Sequence, residues 1–578
     1  MLETAKEDLK SKTRELKDLE NSATQDRRIM MAQAAEDRKR LAETRAELER
    51  QRQPYHKSVG EKLSRREEGF RAMDALVFSG QPGGNESRVV RIERIQAEVY
   101  RIANEWVAQC SARPGIARGD SMNGKAQLFS FGSFLLGGDC YDSDVDMLVV
   151  VPQHVDRALA FFESNQQSAN RKSFSARLQA NPRVEKLVEV RSAFVPCLKL
   201  TFAGIAIDLT FANVLPSDGR QALALPQQPT GPHGWQVNPD EYIGWNEQLL
   251  ARLESDRPVL RSINGVRTAH WILKSVPDQT VFRTVLLLVK QWAKSRGIYG
   301  GAIGYLGGVS WGLLVAYICR AQTWATPMEI LHTFFATWLA WPWPNPVELT
   351  PRVVMQGRFS VSLDLDVWDA RTSASKAPIL TPTYPSMNTA HSVSQSTFQT
   401  ILLELSRASK IFQRGSRADD SDWPDRRSAW WYELVEPVDA SFVEQHPVFL
   451  HVTVYAKDGQ TRPRWSELCQ ANLRHVVRGL ERTMLFVSLR PLQREARHTC
   501  LDNLAEERDP ARAHLICQGH GVVIGMVPVG GEDAAVVEEC DKLLSALSQQ
   551  LVARAASEGW HEAEMKLEGQ VLRRDQLV

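Results

Sequence analysis

Phe131-Gly132-Ser133 stands ten residues ahead of Asp144-Val145-Asp146-Met147, and that segment runs directly into Leu148-Val149-Val150-Val151. The β-branched run reads as a buried strand. Residues two apart on a strand face the same way, so Asp144 and Asp146 point together while Val145 points to the other side. Two converging carboxylates repel one another unless cations neutralise them, and hard oxygen ligands suit Mg²⁺. The Gly-Ser turn upstream lets backbone and hydroxyl approach a phosphate closely, because glycine has no Cβ in the way.

A two-metal centre, with ions roughly 3.5–4 Å apart, calls for a third carboxylate. Lys199 to Phe202 alternates, Ala203-Gly204 can turn, and Ile205-Ala206-Ile207-Asp208-Leu209 gives a second apolar strand. Asp208 is a lone acid in that strand, costly to bury without a partner. Asp144, Asp146 and Asp208 are therefore the candidate metal ligands and catalytic residues.

Working outward, a second helix is expected where Val89, Ile92, Ile95, Val99, Ile102 and Trp106 recur at helical spacing. Pro216 to Gly234 reads as a surface loop, and long helices follow from about Asn246 to Leu339. The uncharged, glycine-rich stretch Gly297 to Cys319 reads as a buried core helix behind a glycine turn, not a membrane span. Alternating Phe449, His451, Thr453 and Tyr455 mark a strand, and 532–570 reads as an Ala- and Glu-rich helix. At the other end, Leu2, Leu9, Leu16, Ala23 and Met30 recur every seven residues, resuming at Leu41 and Leu48. That is a coiled-coil pattern with a stutter; a solvated single helix is the alternative.

Bulk properties fit this plan. The 578 residues leave room for three or four domains of roughly 150 residues. With 43% hydrophobic and 24% charged residues the chain is an ordinary globular one, and its net charge of +1 argues against a nucleic-acid packaging protein. Eight scattered cysteines without a CxxC pair suggest neither zinc modules nor a disulfide framework, but a reducing compartment. The first residues lack a signal-peptide pattern.

The Phe131-Gly132-Ser133…Asp144-Val145-Asp146 pattern resembles the signature of the polymerase-β-like nucleotidyltransferase superfamily, and longer segments are similar to eukaryotic poly(A) polymerases. They are Ala193-Phe194-Val195-Pro196, Leu260-Arg261-Ser262-Ile263-Asn264-Gly265, Lys290-Gln291-Trp292-Ala293-Lys294, Gly304 to Trp311, Trp343-Pro344-Asn345-Pro346 and Ile379-Leu380-Thr381-Pro382. The resemblance is dense over about 86–400 and thin beyond. It implies an α+β multidomain fold: 86–110, a helix packing on the central domain; 111–215, a nucleotidyltransferase palm with a mixed sheet; 216–400, a helical central domain; and 401–530, an RRM-like αβ RNA-binding domain. The charged helix or possible coiled coil at 1–55 is not a feature of the family, and the helical tail at 531–578 is read from composition alone.

The resemblance also implies an activity, template-independent addition of AMP from ATP to RNA 3′ ends, with two Mg²⁺ ions for which Mn²⁺ can substitute. Asp144, Asp146 and Asp208 match the metal-binding carboxylates, and Phe131, Gly132 and Ser133 the nucleotide-contacting turn. Asn264 falls where the family contacts the incoming nucleotide, Lys290 and Tyr299 where it contacts the triphosphate, Gly308 and Val309 where it packs on adenine. Leu135 and Cys140 depart from the family pattern, which bears on substrate affinity. A nuclear address follows from the family, and the N-terminal helix would serve a protein partner or self-association. No RNP motif is visible in the C-terminal third, so base stacking on its sheet is not expected. Arg462, Arg464, Arg474, Arg478, Arg482, Arg490, Arg494 and Arg497 could form a phosphate-binding face there. A terminal uridylyltransferase, another RNA nucleotidyltransferase and an inactive RNA-binding scaffold remain as alternatives.

Overall fold

A computed structural model describes residues 88–111, 126–138, 143–162, 173–191, 195–215, 253, 256–322, 325–350, 368, 373–383, 386–415, 431–456, 461–494, 521–529, 533–557 and 565–574. The coiled-coil expectation for 1–55 and the loop at Pro216 to Gly234 lie outside those residues. Residues 1–84 form a unit of their own, and everything below concerns the second unit, from Asn85 on.

Its first layer is a five-stranded sheet: β1 Gln127–Phe131, β2 Val145–Pro152, β3 Val184–Val190, β4 Cys197–Phe202 and β5 Ile205–Leu215, in the order β1-β2-β5-β4-β3. Only β2 and β5 run parallel, so the sheet is mixed as expected. The β4–β5 hairpin turns at Ala203-Gly204, both with positive φ (49° and 74°). That pair of left-handed residues is what a tight hairpin of the right twist requires. Alternation sorts β2 into two cores. Val145, Met147, Val149 and Val151 pack under helix α1 (Arg88–Ser111), with Ile92, Val99 and Trp106. Leu148 and Val150 pack on the opposite face against Val259, Leu260 and Ile263 of helix α4 (Arg257–Ser275). Between them come α2 (Gly132–Leu136) and α3 (Phe174–Gln179).

The α1 helix forms where its apolar spacing predicts, yet its buried face belongs to the core of this sheet, not to the central domain. Spacing reveals that a helix has a face to bury and leaves open which surface receives it.

The helical region comprises α4 (Arg257–Ser275), α5 (Gln279–Ser295), α6 (Gly308–Ala321), α7 (Pro327–Ala340) and α8 (Gln395–Gly415). Its boundaries carry chemical signals. Asp256 and Asp278 cap α4 and α5 through backbone N–H groups, and Thr326 with Glu329 forms a capping box on α7. Helix α6 is the buried one anticipated between Gly297 and Cys319, and no described helix is long and apolar enough to cross a membrane. The expected boundary at 400 falls inside α8.

Helix α9 (Asp439–Gln445) leads into a second sheet: β6 Val448–Ala456, helices α10 (Thr461–Asn472) and α11 (Arg474–Arg482), β7 Phe486–Arg494, β8 Gly521–Pro528, α12 (Asp533–Ser557) and β9 Met565–Arg573. All pairs are antiparallel in the order β7-β8-β6-β9. The predicted helical tail is thereby corrected. Its helix ends at Ser557, and β9 pairs with β6 along nine residues, so 533–557 and 565–574 are part of this αβ domain. The Lys- and Glu-bearing β9 has weak local strand character, and a pairing partner more than a hundred residues away decides its state.

A buried ion triad ties the two halves together. Glu404 of α8 accepts from Arg296 Nε at 2.8 Å and from Arg490 Nη2 at 2.8 Å, and Arg490 also donates to the Arg296 carbonyl. Tyr305 donates to Pro491 O at 3.1 Å. Arg490 is 6% exposed, which removes it from the phosphate-binding face expected of the C-terminal arginines.

Candidate active site

The sheet register builds the site. Phe131 pairs with Asp146, Asp146 with Asp208, and Asp208 with Lys199, giving one row across β1, β2, β5 and β4. Since Leu148 and Val150 face α4, Asp146, two residues before Leu148, faces α4 as well. Asp208 shares that face with Ala212 and Val214. The two carboxylates thus sit side by side on neighbouring strands.

Their charges are managed unequally. Lys199 Nζ lies 2.8 Å from Asp208 Oδ2, so the acid expected to lack a partner has a lysine across the hairpin. Asp146 has none so direct. Burial pushes its carboxyl up to about 8, and the charges of Asp208 and then Asp144 push the same way, against weaker opposition from Lys199 and Lys290. Asp144 lies exposed just ahead of β2. Among the described residues no three acidic, histidine or cysteine side chains are already arranged as a closed metal-ligand set. Asp144 is close enough to act on Asp146 electrostatically without completing such a set. Chemically the donors still fit a divalent cation: hard oxygens, an excess of negative charge, and a half-buried carboxylate whose ionisation is opposed until positive charge arrives.

Gly132 turns the chain out of β1 with φ +66°, and a Cβ there would fall 1.9 Å from Asp146 Oδ2. Only glycine admits the carboxylate so close to the turn. Ser133 follows in α2, and Gly138 N donates to its carbonyl at 2.9 Å. Lys290 is buried, and its Nζ donates to Gly138 O, tying α5 to the end of that turn. It also lies 5.9 Å from the ring centre of Tyr299. Tyr299 Oη in turn lies 2.9 Å from where a Cβ on Gly308 would stand. Phe131 packs against Gly265 of α4, whose added Cβ would meet its ring at 3.1 Å.

Next to these pieces lies a cavity of about 230 Å³, which Gly132 and Gly265 reach while Asp146, Asp208, Ser133, Lys290, Tyr299 and Gly308 stand outside its lining. Gly132, Asn264 and Val309, three residues singled out from the sequence, line it together with Arg261, Thr268, Thr381, Met387 and Thr389. The α4 contributors Arg261, Asn264, Gly265, Thr268, Ala269 and Ile272 follow helical spacing, so one face of that helix forms the wall. The polar and small residues at those positions were the available sign. Thr383 had no local signal at all. Its hydroxyl donates to Asn264 Oδ1 and lies 3.1 Å from the Thr268 hydroxyl. The chain of two buried hydroxyls fixes Asn264 with its oxygen towards Thr383.

Thr383→Val should therefore loosen Asn264 without emptying the site. A lost buried hydrogen bond of ~1–1.5 kcal/mol corresponds to roughly 5–10-fold weaker binding of a ligand held by Asn264. Thr383→Ser, which keeps the hydroxyl, should stay near wild type. Titration with a nucleoside triphosphate measures both, and equal affinity for Val and wild type would remove Thr383 from the site.

Comparisons with known proteins agree with this architecture. The family model of the poly(A) polymerase nucleotidyltransferase domain matches residues 84–226, and that of the poly(A) polymerase central domain matches residues 281–425. The poly(A) polymerase of Dictyostelium discoideum is 31% identical over 392 residues, 68% of this chain and 43% of the relative. Poly(A) polymerase PAPalpha of Candida albicans is 33% identical over 416 residues, 71% of this chain and 66% of the relative. Nuclear poly(A) polymerase 4 of Arabidopsis thaliana is 31% identical over 397 residues, 68% of this chain and 47% of the relative. The chain thus spans between 43% and 66% of the length of these relatives. Among solved structures, a cytoplasmic RNA terminal U-transferase matches with a TM-score of 0.38 and 16% identity, over 64% of this chain and 99% of that one; so distant a likeness carries no argument here. The two domain matches and the relatives at 31–33% identity place the chain in the poly(A) polymerase family.

Proposed function

We propose that this chain is a template-independent polynucleotide adenylyltransferase that adds AMP from ATP to RNA 3′ ends. The observation that carries the reading is the row Asp146–Asp208 set beside the Gly132 turn, with Gly132 itself lining a cavity walled by Asn264 and Val309. Asp144, Asp146 and Asp208 would hold two Mg²⁺ ions, with Mn²⁺ able to substitute; when bound, such ions activate the RNA 3′-hydroxyl and stabilise the leaving pyrophosphate.

The chain's own groups do the rest. Lys199, 2.8 Å from Asp208, holds that carboxylate in place from across the hairpin. Gly132 and Ser133 offer a turn without side-chain obstruction to the triphosphate. Lys290 brings positive charge to that turn through Gly138, and Tyr299 lies beside it as a hydroxyl donor. Asn264, oriented by Thr383, presents its amide nitrogen to the nucleotide, and Gly308 with Val309 leaves room for a flat base.

The C-terminal αβ domain we read as RRM-like. Its β6–α10/α11–β7–β8–α12–β9 connectivity and the order β7-β8-β6-β9 support that. Phe449, Leu492 and Val523 are covered by Val438 and Phe442 of the α9 region, which argues against bases stacking on that part of the sheet. The N-terminal heptad segment would serve a protein partner or self-association. A nuclear address accords with the name of the Arabidopsis thaliana relative.

Incubating the protein with oligo(A), Mg²⁺ or Mn²⁺ and each nucleoside triphosphate singly tests the reading. ATP should be incorporated in preference to UTP, CTP and GTP. Preferred UTP incorporation would reassign the nucleotide, and RNA binding without any extension would make the chain a scaffold.

A further inference from the structure

Helix α1 begins against its own dipole. Its first turn, Arg88 to Arg91, holds two arginines and no acid, although the N-terminal end of a helix carries partial positive charge and repels cations. Helix formation does not explain these two side chains, but their contacts do. Arg88 Nη2 donates to the Ser143 carbonyl at 2.5 Å, 55 residues away in the chain. Arg91 Nη2 donates to the Ala203 carbonyl at 2.8 Å. Ser143 immediately precedes Asp144 and β2, and Ala203 opens the turn into β5. Each arginine thus holds the entrance of one strand that bears a candidate ligand. Further along the same helix, Gln96 Nε2 donates to Ser130 Oγ of β1.

The sheet does not fix the two entrances equally. Asp208 lies inside β5 and is paired on both sides, with Asp146 and with Lys199. Asp144 precedes the ladder: pairing of β2 with β5 starts at Val145, and β1 ends opposite Asp146. Val145 shares a core with α1 while Leu148 faces α4, so α1 lies on the side of β2 away from Asp146. Arg88 therefore grips the backbone from behind the carboxylate row.

We infer that Arg88 is a positioning residue for Asp144: by holding the Ser143 carbonyl it sets where that carboxylate stands relative to Asp146, and with it the affinity for a divalent cation. The inference rests on the metal reading of the three acids. A charged donor makes a stronger hydrogen bond than a neutral one, and losing an outer contact of this kind to a metal ligand typically costs about 10–100-fold in metal affinity. Arg91 provides the comparison, since the ladder already holds Asp208.

The test is Mn²⁺ binding to the full chain without RNA or nucleotide, followed by the EPR signal of free Mn²⁺, beside the Mg²⁺ dependence of oligo(A) extension. Arg88→Gln should weaken Mn²⁺ binding ~10-fold and raise the Mg²⁺ needed for half-maximal rate by a similar factor. Its rate at saturating Mg²⁺ should stay within ~3-fold of wild type, because the ligands themselves are intact. Arg88→Lys keeps a charged donor and should recover part of the loss, and it carries the test if the Gln variant fails to fold. Arg91→Gln should bind Mn²⁺ like wild type and unfold at a lower temperature. Wild-type Mn²⁺ affinity in both Arg88 variants would overturn the inference. So would an Arg91→Gln loss equal to that of Arg88→Gln, which would make both arginines general supports of the sheet. Wild type that binds no Mn²⁺ would instead sink the metal reading, and the role of Arg88 with it.

Discussion

Asp146→Asn is expected to abolish nucleotide addition, by more than ~100-fold, while making the folded protein more stable. Loss of a supporting contact to a metal ligand typically costs 10–100-fold, and loss of a ligand itself costs more. Stability moves the other way because this carboxyl is held up to about 8 by burial, by Asp208 and by Asp144. A carboxyl raised in the folded state binds its proton more tightly there than when unfolded, so wild-type stability falls as pH rises from about 4 to about 8. Asparagine removes that fall. At pH 8 in EDTA the variant should exceed wild type by on the order of 1–3 kcal/mol, well under the full shift because the side chain keeps part of its surface in water. The advantage should vanish near pH 4, and Mg²⁺ should stabilise wild type more than the variant. Asp144→Ala should likewise remove addition with RNA affinity within about threefold of wild type. An Asp146→Asn protein that extends RNA at near wild-type rate ends the metal assignment.

Glu404→Ala should be the most damaging substitution for stability, at ~3–5 kcal/mol, because it leaves two buried guanidinium groups facing each other without their carboxylate. Burial by itself would raise the Glu404 carboxyl, but the hydrogen bond and charge of Arg296, then those of Arg490, outweigh it and the net displacement is downward. A depressed carboxyl gives stability that is present above its ordinary range and disappears as pH falls through it, so the Ala penalty should shrink in acid. Urea unfolding followed by tryptophan fluorescence at pH 7 and pH 4 measures both. The same midpoint for Ala and wild type at pH 7 would show that the triad does not hold β7 on α5 and α8. The palm should remain competent to bind nucleotide in either case, since Glu404 touches none of its residues among the contacts described.

How much of this could be read from the chain differs by element. The valine run after Asp146 and the Ala203-Gly204 turn before Ile205 are local statements, and both elements formed where those residues put them. The facing of Asp146 and Asp208 needed more. Alternation assigns each acid a side of its own strand, but only register decides that they are neighbours and that Lys199 stands on the far side of Asp208. Thr383 was invisible because its partner Asn264 lies 119 residues earlier in the chain. β9 looked like part of a tail for a related reason: its segment is polar enough that pairing with β6 supplies its strand character.

By itself, then, the sequence determined the helices and strands of clear periodicity among the described residues, the glycine turn, the strand positions of Asp146 and Asp208, and the family. Each of these is encoded in side-chain type over a few residues, where steric and hydrogen-bonding preferences act directly. Tertiary structure alone decided that α1 serves the sheet, that Arg490 is a buried lock while Arg482 is exposed, and that one cavity gathers residues from 132 to 389. Those outcomes depend on which distant surfaces exclude water from one another. A burial free energy of that kind belongs to the pair of surfaces and is written in neither segment alone.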